Sequence, residues 1–146
     1  MREAEQVFVI ERVKLLAEAL DSGSEVESIF VDSSASSTGS PAHSVLDEAH
    51  RRGLRIYELG PDVLARVADT VTPQPVVAIV SMINAPLENL SNAQSVVVLA
   101  DVRDPGNAGT ILRSAEAAGI DGVIFCDGSV DVFNPKTIRS SAGSIF

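Results

Sequence analysis

Short apolar runs rich in Val, Ile and Phe alternate along the chain with segments of helical periodicity. This alternation limits the fold more than any other property of the sequence, because it is typical of α/β domains built on a largely parallel sheet. The predicted strands are Phe8–Ile10, Ile29–Val31, Leu54–Tyr57, Val76–Val80, Val96–Ala100 and Gly122–Cys126. The predicted helices are Arg12–Leu20, Ser44–Arg52, Pro61–Ala68 and Ala108–Ala118. We therefore expect an α/β fold with one or two sheets.

A polar segment rich in asparagine, residues 81–94, lies between two strongly apolar strands. We interpret residues 83–94 as a linker between a small α/β domain at residues 1–82 and a second domain at residues 95–146. The second segment has only two predicted strands, and roughly 50 residues bury too little apolar surface to be stable alone. We therefore expect this sequence to lack the C-terminal part of the second domain.

Composition disfavours several classes of protein. No stretch reaches the roughly 18 apolar residues that a membrane span needs, and the acidic start is unlike a signal peptide. The single cysteine, Cys126, excludes an internal disulfide and a thiolate metal cluster. His43 and His50 have no third ligand at metal-binding spacing. We expect a cytoplasmic protein with no membrane association and no metal site.

The net charge of −9 argues, taken alone, against a nucleic-acid partner, because Lys and Arg supply the contacts to phosphates. The basic residues are nevertheless grouped. One group comprises Arg51, Arg52 and Arg55, and a second comprises Arg103, Arg113, Lys136 and Arg139. The first group either touches RNA or is an ordinary charged helix end. A basic face within an acidic protein is therefore compatible with the sequence.

The loop after the fifth predicted strand has the composition of a binding site. Ligands of open α/β sheets bind at the carboxyl ends of strands, and Gly106 and Gly109 allow close backbone approach there. The segment lacks the glycine pattern of dinucleotide-binding proteins and the lysine of a phosphate-binding loop. If Asn107 caps the following helix, Asn107 and Arg113 border one cleft. Arg113 is then either a functional residue or half of a structural ion pair with Glu116.

The end of the chain carries a specific family resemblance. Residues 104–146 read DPGNAGTILRSAEAAGIDGVIFCDGSVDVFNPKTIRSSAGSIF. This string is similar, almost continuously, to the motif N-P-G-N-x-G-x-I-x-R-[ST]-A-x-A-x-G of SpoU-type RNA 2′-O-ribose methyltransferases and to the following strand and N-P-K-x-x-R-x-S-x-G. The resemblance implies an α/β domain with a trefoil knot, S-adenosylmethionine as methyl donor and structured RNA, commonly ribosomal, as substrate. It also implies a homodimer built largely through the methyltransferase domain, and we expect this association to be weakened or lost in this chain.

The same resemblance implies roles for individual residues. It places the family's catalytic asparagine and arginine at Asn107 and Arg113. The arginine would help to deprotonate or position the ribose hydroxyl, and the asparagine would orient Arg113 or an RNA phosphate. It also places Lys136, Arg139 and Ser140 at the RNA, where the two cations suit phosphates. An ordinary solvated helix start is the alternative for that segment.

The first domain resembles the small ribosomal-protein-like domain with which many family members bind RNA. That domain opens with F-x-x-E-G and closes with T-P-Q-G, where this chain has FVIER and TPQP. Arg12 and Pro75 thus replace the two glycines. We expect the turns at both positions to avoid φ > 0.

The family's later motifs, a G-N-E-G-like loop and a final S-L-N-V-like segment, do not occur in this sequence. In the family they supply most of the cofactor pocket and the knot. We therefore expect this chain alone to be inactive as a methyltransferase. The alternatives are a non-catalytic RNA-binding module and a degenerate gene product without function.

We predict that calorimetric titration of this chain with S-adenosylmethionine shows no binding, because the expected pocket motifs are absent. A chain extended beyond Phe146 is expected to bind. Tight binding by the 146-residue chain would contradict this assignment of the cofactor pocket.

Overall fold

The computed structural model of the chain describes residues 6–33, 35, 39–60, 63–67, 75–83 and 85–146. The chain forms two compact units, Met1–Met82 and Ile83–Phe146. Strands occur in the described part at all six predicted places, together with helices between them, so the predicted α/β fold is confirmed. Among the described residues, no helix has the length and apolar composition that crossing a membrane requires.

The described residues of the first unit form four strands and three helices. The strands are β1 (Val7–Glu11), β2 (Val26–Asp32), β3 (Ile56–Leu59) and β4 (Val76–Ser81). The helices are α1 (Val13–Asp21), α2 (His43–Arg51) and α3 (Val63–Val67). Pro61 and Ala68, the predicted ends of the third helix, lie outside the described residues.

The sheet of the first unit has the strand order β1–β4–β2–β3. β2 and β3 are parallel, whereas β4 is antiparallel to both β1 and β2. The expectation of a largely parallel sheet is therefore wrong for this unit, because β4 inserts between β1 and β2 in the opposite direction. The alternation of strands and helices does not predict this insertion. The direction of β4 depends on the end of the sheet from which the chain enters it.

Alternation along β1 decides which side chains enter the core of the first unit. Phe8 and Ile10 are 0% and 1% exposed, while Val9 between them is 44% exposed. Helix α1 packs against the sheet and buries a continuous apolar stripe, which comprises Leu15, Leu16, Ala19 and Leu20. Each large apolar side chain buried in this way stabilises the fold by about 1.5–3 kcal/mol.

Arg12 joins β1 to α1 in a strained backbone conformation, with φ 119° and ψ 136°. The expectation that this position avoids φ > 0 is therefore wrong. Two backbone hydrogen bonds hold the residue there: its N–H donates to the Val76 carbonyl (3.3 Å), and its carbonyl accepts from the Leu16 N–H (3.2 Å). A non-glycine residue in such a region costs about 1–3 kcal/mol.

The second unit has a parallel pair of strands, β5 (Val96–Leu99) and β6 (Gly122–Phe125), joined by helix α4 (Pro105–Ala117). Helix α5 (Pro135–Ser141) follows β6, and a short 3-10 helix spans Leu87–Leu90. Helix α4 begins at Pro105 rather than at the predicted Ala108, because Asp104 caps it.

The segment predicted as a linker, residues 83–94, packs within the second unit, apart from Asn84, which lies outside the described residues. Leu90 fills the space beside Gly122, where an added Cβ would lie 2.5 Å from Leu90 Cδ2. The Asp121 carboxylate accepts from the backbone N–H groups of Ser95 (3.0 Å) and Gln94 (2.9 Å). These hydrogen bonds, that of Ser95 foremost, hold the pKa of Asp121 below its ordinary value.

Helices α4 and α5 approach each other at Gly109. A Cβ added at Gly109 would lie 1.9 Å from Ser140 Oγ and 2.7 Å from both the Ser141 nitrogen and the Thr137 carbonyl oxygen. Two of those three atoms belong to the backbone of α5, so they cannot move aside independently. Only glycine fits this position, and the contact fixes the spacing of the two helices.

Replacing Arg12 by Gly is expected to raise the free energy of unfolding by about 1 kcal/mol, because relief of backbone strain exceeds the entropy that glycine gains in the unfolded chain. Urea unfolding measures the change. The control is Arg12→Ala, which keeps the β-carbon and hence the strain. An equal gain in both variants would show that the arginine side chain, not its φ angle, is responsible.

Replacing Gly109 by Ala is expected to destabilise the chain by about 1–3 kcal/mol, since the new methyl group overlaps the backbone of α5. This loss opposes the gain of up to about 1 kcal/mol that alanine normally brings to a helix. Thermal unfolding measures the outcome, with Ser114→Ala on the exposed side of the same helix as the control. A Gly109→Ala variant as stable as the parent would contradict the close packing.

Candidate functional site

The site predicted from the sequence lies at one edge of the β5–β6 pair. Because the two strands are parallel, their carboxyl ends meet at the same edge. The segments that leave this edge lead directly into α4 and α5, which both begin with an Asx-Pro step, Asp104–Pro105 and Asn134–Pro135. Open α/β sheets bind their ligands at such an edge.

Asp104 organises the start of α4. Its side chain accepts a hydrogen bond from the Asn107 N–H (2.7 Å), which makes Asp104 the N-cap. Asn107 is therefore not the cap but the third residue within the helix. Its side chain is exposed and is not used in the cap, so it remains available to a ligand.

Asn134 does the same at the start of α5, where its side chain accepts from the Lys136 N–H (2.9 Å). The Lys136 ammonium lies 4.0 Å from the Asp104 carboxylate at the start of α4. Both side chains remain more than half exposed. The structure thus brings the two family motifs, 30 residues apart in sequence at their capping residues, to one place.

Arg113 lies on the exposed side of α4, six residues after Asn107. Its guanidinium donates to the Thr110 hydroxyl (3.4 Å), which donates in turn to the Gly106 carbonyl (2.9 Å). Glu116 accepts instead from the Ser144 hydroxyl. Among the described residues Arg113 and Glu116 form no ion pair, so the structural alternative for Arg113 lacks its expected partner.

The other two residues predicted at the RNA are more enclosed than Lys136. The Ser140 hydroxyl is partly buried and donates towards the carbonyls of Pro105 (3.0 Å) and Thr137 (3.1 Å). Arg139 is half-buried on the last turn of α5. Ser140 therefore helps to join the two helices, and Lys136 is the most accessible of the three.

Ser129 ties together the two loops at the edge of the sheet. Its hydroxyl donates to the Leu99 carbonyl (2.9 Å) and accepts from the Val102 N–H (3.2 Å). Nothing in the sequence analysis singled out Ser129, because a serine in a polar loop carries no distinguishing signal. The capping role of Asp104 was also missed, although a polar cap residue before Pro at the first helical position is a recognisable pattern.

The basic group of the first unit divides in the structure. Arg51 and Arg52 both contact the Glu48 carboxylate, and Arg52 also donates to the Leu20 carbonyl. The hydrogen bond from Arg52, aided by the charge of Arg51, holds the pKa of Glu48 below its ordinary value. Arg55 is exposed and stands apart from this cluster. Two of the three arginines thus have a structural role at the helix end.

Two family models match the chain. The model of the SpoU rRNA Methylase family covers residues 94–146, and that of the MRM3-like substrate binding domain covers residues 1–78. Together they account for both units of the structure.

Several similar proteins are named as ribosomal RNA methyltransferases. The chain is 39% identical to the 23S rRNA (guanosine(2553)-2′-O)-methyltransferase RlmP of Bacillus subtilis, across 99% of this chain and 54% of that protein. It is 28% identical to the mitochondrial rRNA methyltransferase 3 of Homo sapiens, across 99% of this chain and 34% of that protein. The chain thus spans about half the length of the bacterial relative and a third of the human one.

Solved structures of such proteins share the fold. An rRNA methyltransferase from Sinorhizobium meliloti matches 99% of this chain and 53% of its own with a TM-score of 0.82 at 32% identity. The SpoU methyltransferase AviRb from Streptomyces viridochromogenes, in complex with AdoMet, matches the same shares with a TM-score of 0.80 at 29% identity. The motifs at the sheet edge, the family models and these folds agree, and the chain belongs to the SpoU rRNA methylase family, with an MRM3-like substrate binding domain ahead of its SpoU segment.

Proposed function

We propose that this chain supplies the RNA-binding and hydroxyl-positioning residues of an enzyme that methylates a ribose 2′-hydroxyl of ribosomal RNA. Members of the family are RNA 2′-O-methyltransferases, and S-adenosylmethionine is the family's cofactor. The observation that carries the proposal is that Asp104 and Lys136, one from each family motif, lie 4.0 Å apart at one exposed sheet edge.

Arg113 and Asn107 are the residues we assign to the reacting ribose. A guanidinium stays protonated in proteins, so Arg113 is suited to donate hydrogen bonds to the 2′-oxygen and to stabilise negative charge that develops there. Asn107 can donate and accept, which suits it to orient either the ribose or the adjacent phosphate. Both side chains are exposed, as access for a macromolecular substrate requires.

Lys136, with Arg139 and Ser140 beside it, is assigned to phosphates of the RNA. Lys136 supports this role best, because its ammonium is exposed and its Asp104 neighbour lies at the outer limit of an ion pair. In the first unit, Arg51, Arg52 and Arg55 are assigned to the RNA backbone in a substrate-binding domain at residues 1–82. Arg55 supports this role best, since Arg51 and Arg52 are held by Glu48.

The described residues do not fit S-adenosylmethionine by themselves. Small-molecule sites bury most of their ligand, whereas the polar side chains at this edge are open: Asp101, Arg103 and Asp104 are 64%, 78% and 53% exposed. These residues alone therefore do not form a pocket for the cofactor. The open edge also favours a second candidate function, in which these 146 residues bind RNA without catalysing methyl transfer.

Family resemblance further leads us to propose that the enzyme is a homodimer. Sedimentation of the purified protein tests this point independently of RNA binding.

The direct test is binding of a structured 23S rRNA fragment by the chain at several salt concentrations. We expect Lys136→Ala to weaken binding and to reduce the salt dependence by about one phosphate contact. Arg113→Ala is expected to abolish methyl transfer in any longer form of the enzyme that is active. The control is Lys14→Ala, which removes the same charge from an exposed position on α1.

Equal weakening by Lys136→Ala and Lys14→Ala would show that binding depends only on net charge and would contradict the assigned site. Failure of the unmodified chain to bind any RNA would contradict the proposed function of both units.

A further inference from the structure

An exposed aromatic ring stands on the edge strand of the first unit. Tyr57 lies in the middle of β3, the last strand in the order β1–β4–β2–β3, and is 45% exposed. Part of the ring is therefore accessible to a ligand. Tyr57 is not among the residues that the family motifs single out.

One face of the Tyr57 ring is already occupied. Phe30 is its partner in the register of β2 and β3, and the two rings stack with centroids 5.3 Å apart and planes 18° from parallel. Because Phe30 comes from the inner strand, the second face of Tyr57 is turned away from the sheet, past its edge. In the described part of the chain no strand follows β3 on that side.

Arg55 lies two residues before Tyr57 and therefore on the same side of the strand. Its carbonyl accepts from the Ile29 N–H (2.9 Å), so the backbone at Arg55 already follows the ladder between β2 and β3. The side chain is exposed, unlike Arg52, which binds Glu48 and the Leu20 carbonyl. An exposed cation thus lies next to Tyr57 along the same side of the strand.

The charges around the ring pair are unequal. Arg55 lies on the side where the strands begin, and Asp32 lies on the side where they end, opposite Leu59 in the register. An anionic group bound next to Tyr57 is therefore favoured on the Arg55 side and disfavoured on the Asp32 side. This asymmetry would orient a ligand that carries an apolar ring at one end and a phosphate at the other.

We propose that Tyr57 and Arg55 form a binding site for one unstacked nucleotide of RNA, with its base on the free face of Tyr57 and its phosphate against Arg55. The proposal rests on the proposed function, that the chain binds RNA. Proteins recognise unpaired bases by stacking them on aromatic rings, and an arginine beside the ring suits the linking phosphate. Stacking on Phe30 restricts the Tyr57 ring in the unbound protein, so less side-chain entropy is lost when a base binds.

The chain offers a direct optical test, because Tyr57 is its single tyrosine and it has no tryptophan. Titration of the chain with a short single-stranded RNA oligonucleotide is expected to quench the tyrosine fluorescence as the base stacks. A duplex of the same sequence is expected to quench it much less, since its bases are not free to stack. Free tyrosine titrated with the same RNA corrects for the light that the RNA absorbs.

Variants separate the ring from the charge. Tyr57→Phe keeps the ring and should retain the affinity, whereas Tyr57→Leu should weaken single-strand binding about tenfold. Arg55→Ala should weaken binding and reduce its salt dependence, with Lys14→Ala as the charge control. Thermal unfolding of each variant checks the fold, and the fluorescence of the unmodified chain needs no variant.

The chain could bind RNA without quenching of its tyrosine fluorescence, and Tyr57→Leu could bind RNA as tightly as the parent. That result would overturn this site while leaving the proposed function intact. Equal quenching by duplex and single strand would overturn the unstacked nucleotide. Absence of any RNA binding, including binding of the structured 23S rRNA fragment, would overturn the proposed function itself.

Discussion

The contact between α4 and α5 at Gly109 determines the geometry of the second unit. A β-carbon at that position would overlap the backbone of α5, so the two helices can be this close only with glycine. Their proximity places the start of α5 beside the start of α4, and with it Lys136 beside Asp104. Ser140 strengthens the same contact by donating to the Pro105 carbonyl. The candidate site is thus a consequence of helix packing rather than of the loops alone.

The two helix starts are built on one local plan. Each has a short polar side chain that caps the first turn, followed by a proline whose missing N–H would have no partner there. The capping side chains fix the backbone of each first turn, and side chains later in that turn are available to a ligand. The side chains of Asn107 and Lys136 are therefore not used in the caps, and both are exposed to solvent. Ser129 adds a third restraint by joining the loops behind them.

Much of the fold could be predicted because hydrophobic periodicity is local, and the positions of all six strands follow from it. The direction of β4 could not, since no local pattern records that it inserts between β1 and β2. Arg12 was misjudged because its φ of 119° is imposed by hydrogen bonds to Val76 and Leu16, and tertiary contacts override residue preference. The motif residues of the site were found from the resemblance. Ser129 in the site and Tyr57 in the first unit were not, because their contacts are with residues distant in sequence. Assignment of the site residues to RNA remains a prediction.

The position of β4 also has a consequence for how the first unit acquires its structure. In the described part of the chain, β1 pairs with β4 alone, and β4 is the last strand of that unit to be synthesised. During translation β1 therefore waits without a strand partner until residues 76–81 have left the ribosome. Contacts so distant in sequence slow folding and leave apolar strand edges open to wrong partners in the meantime. Completion of this sheet, rather than formation of its helices, is the step at which a nascent chain of this kind is most vulnerable to aggregation.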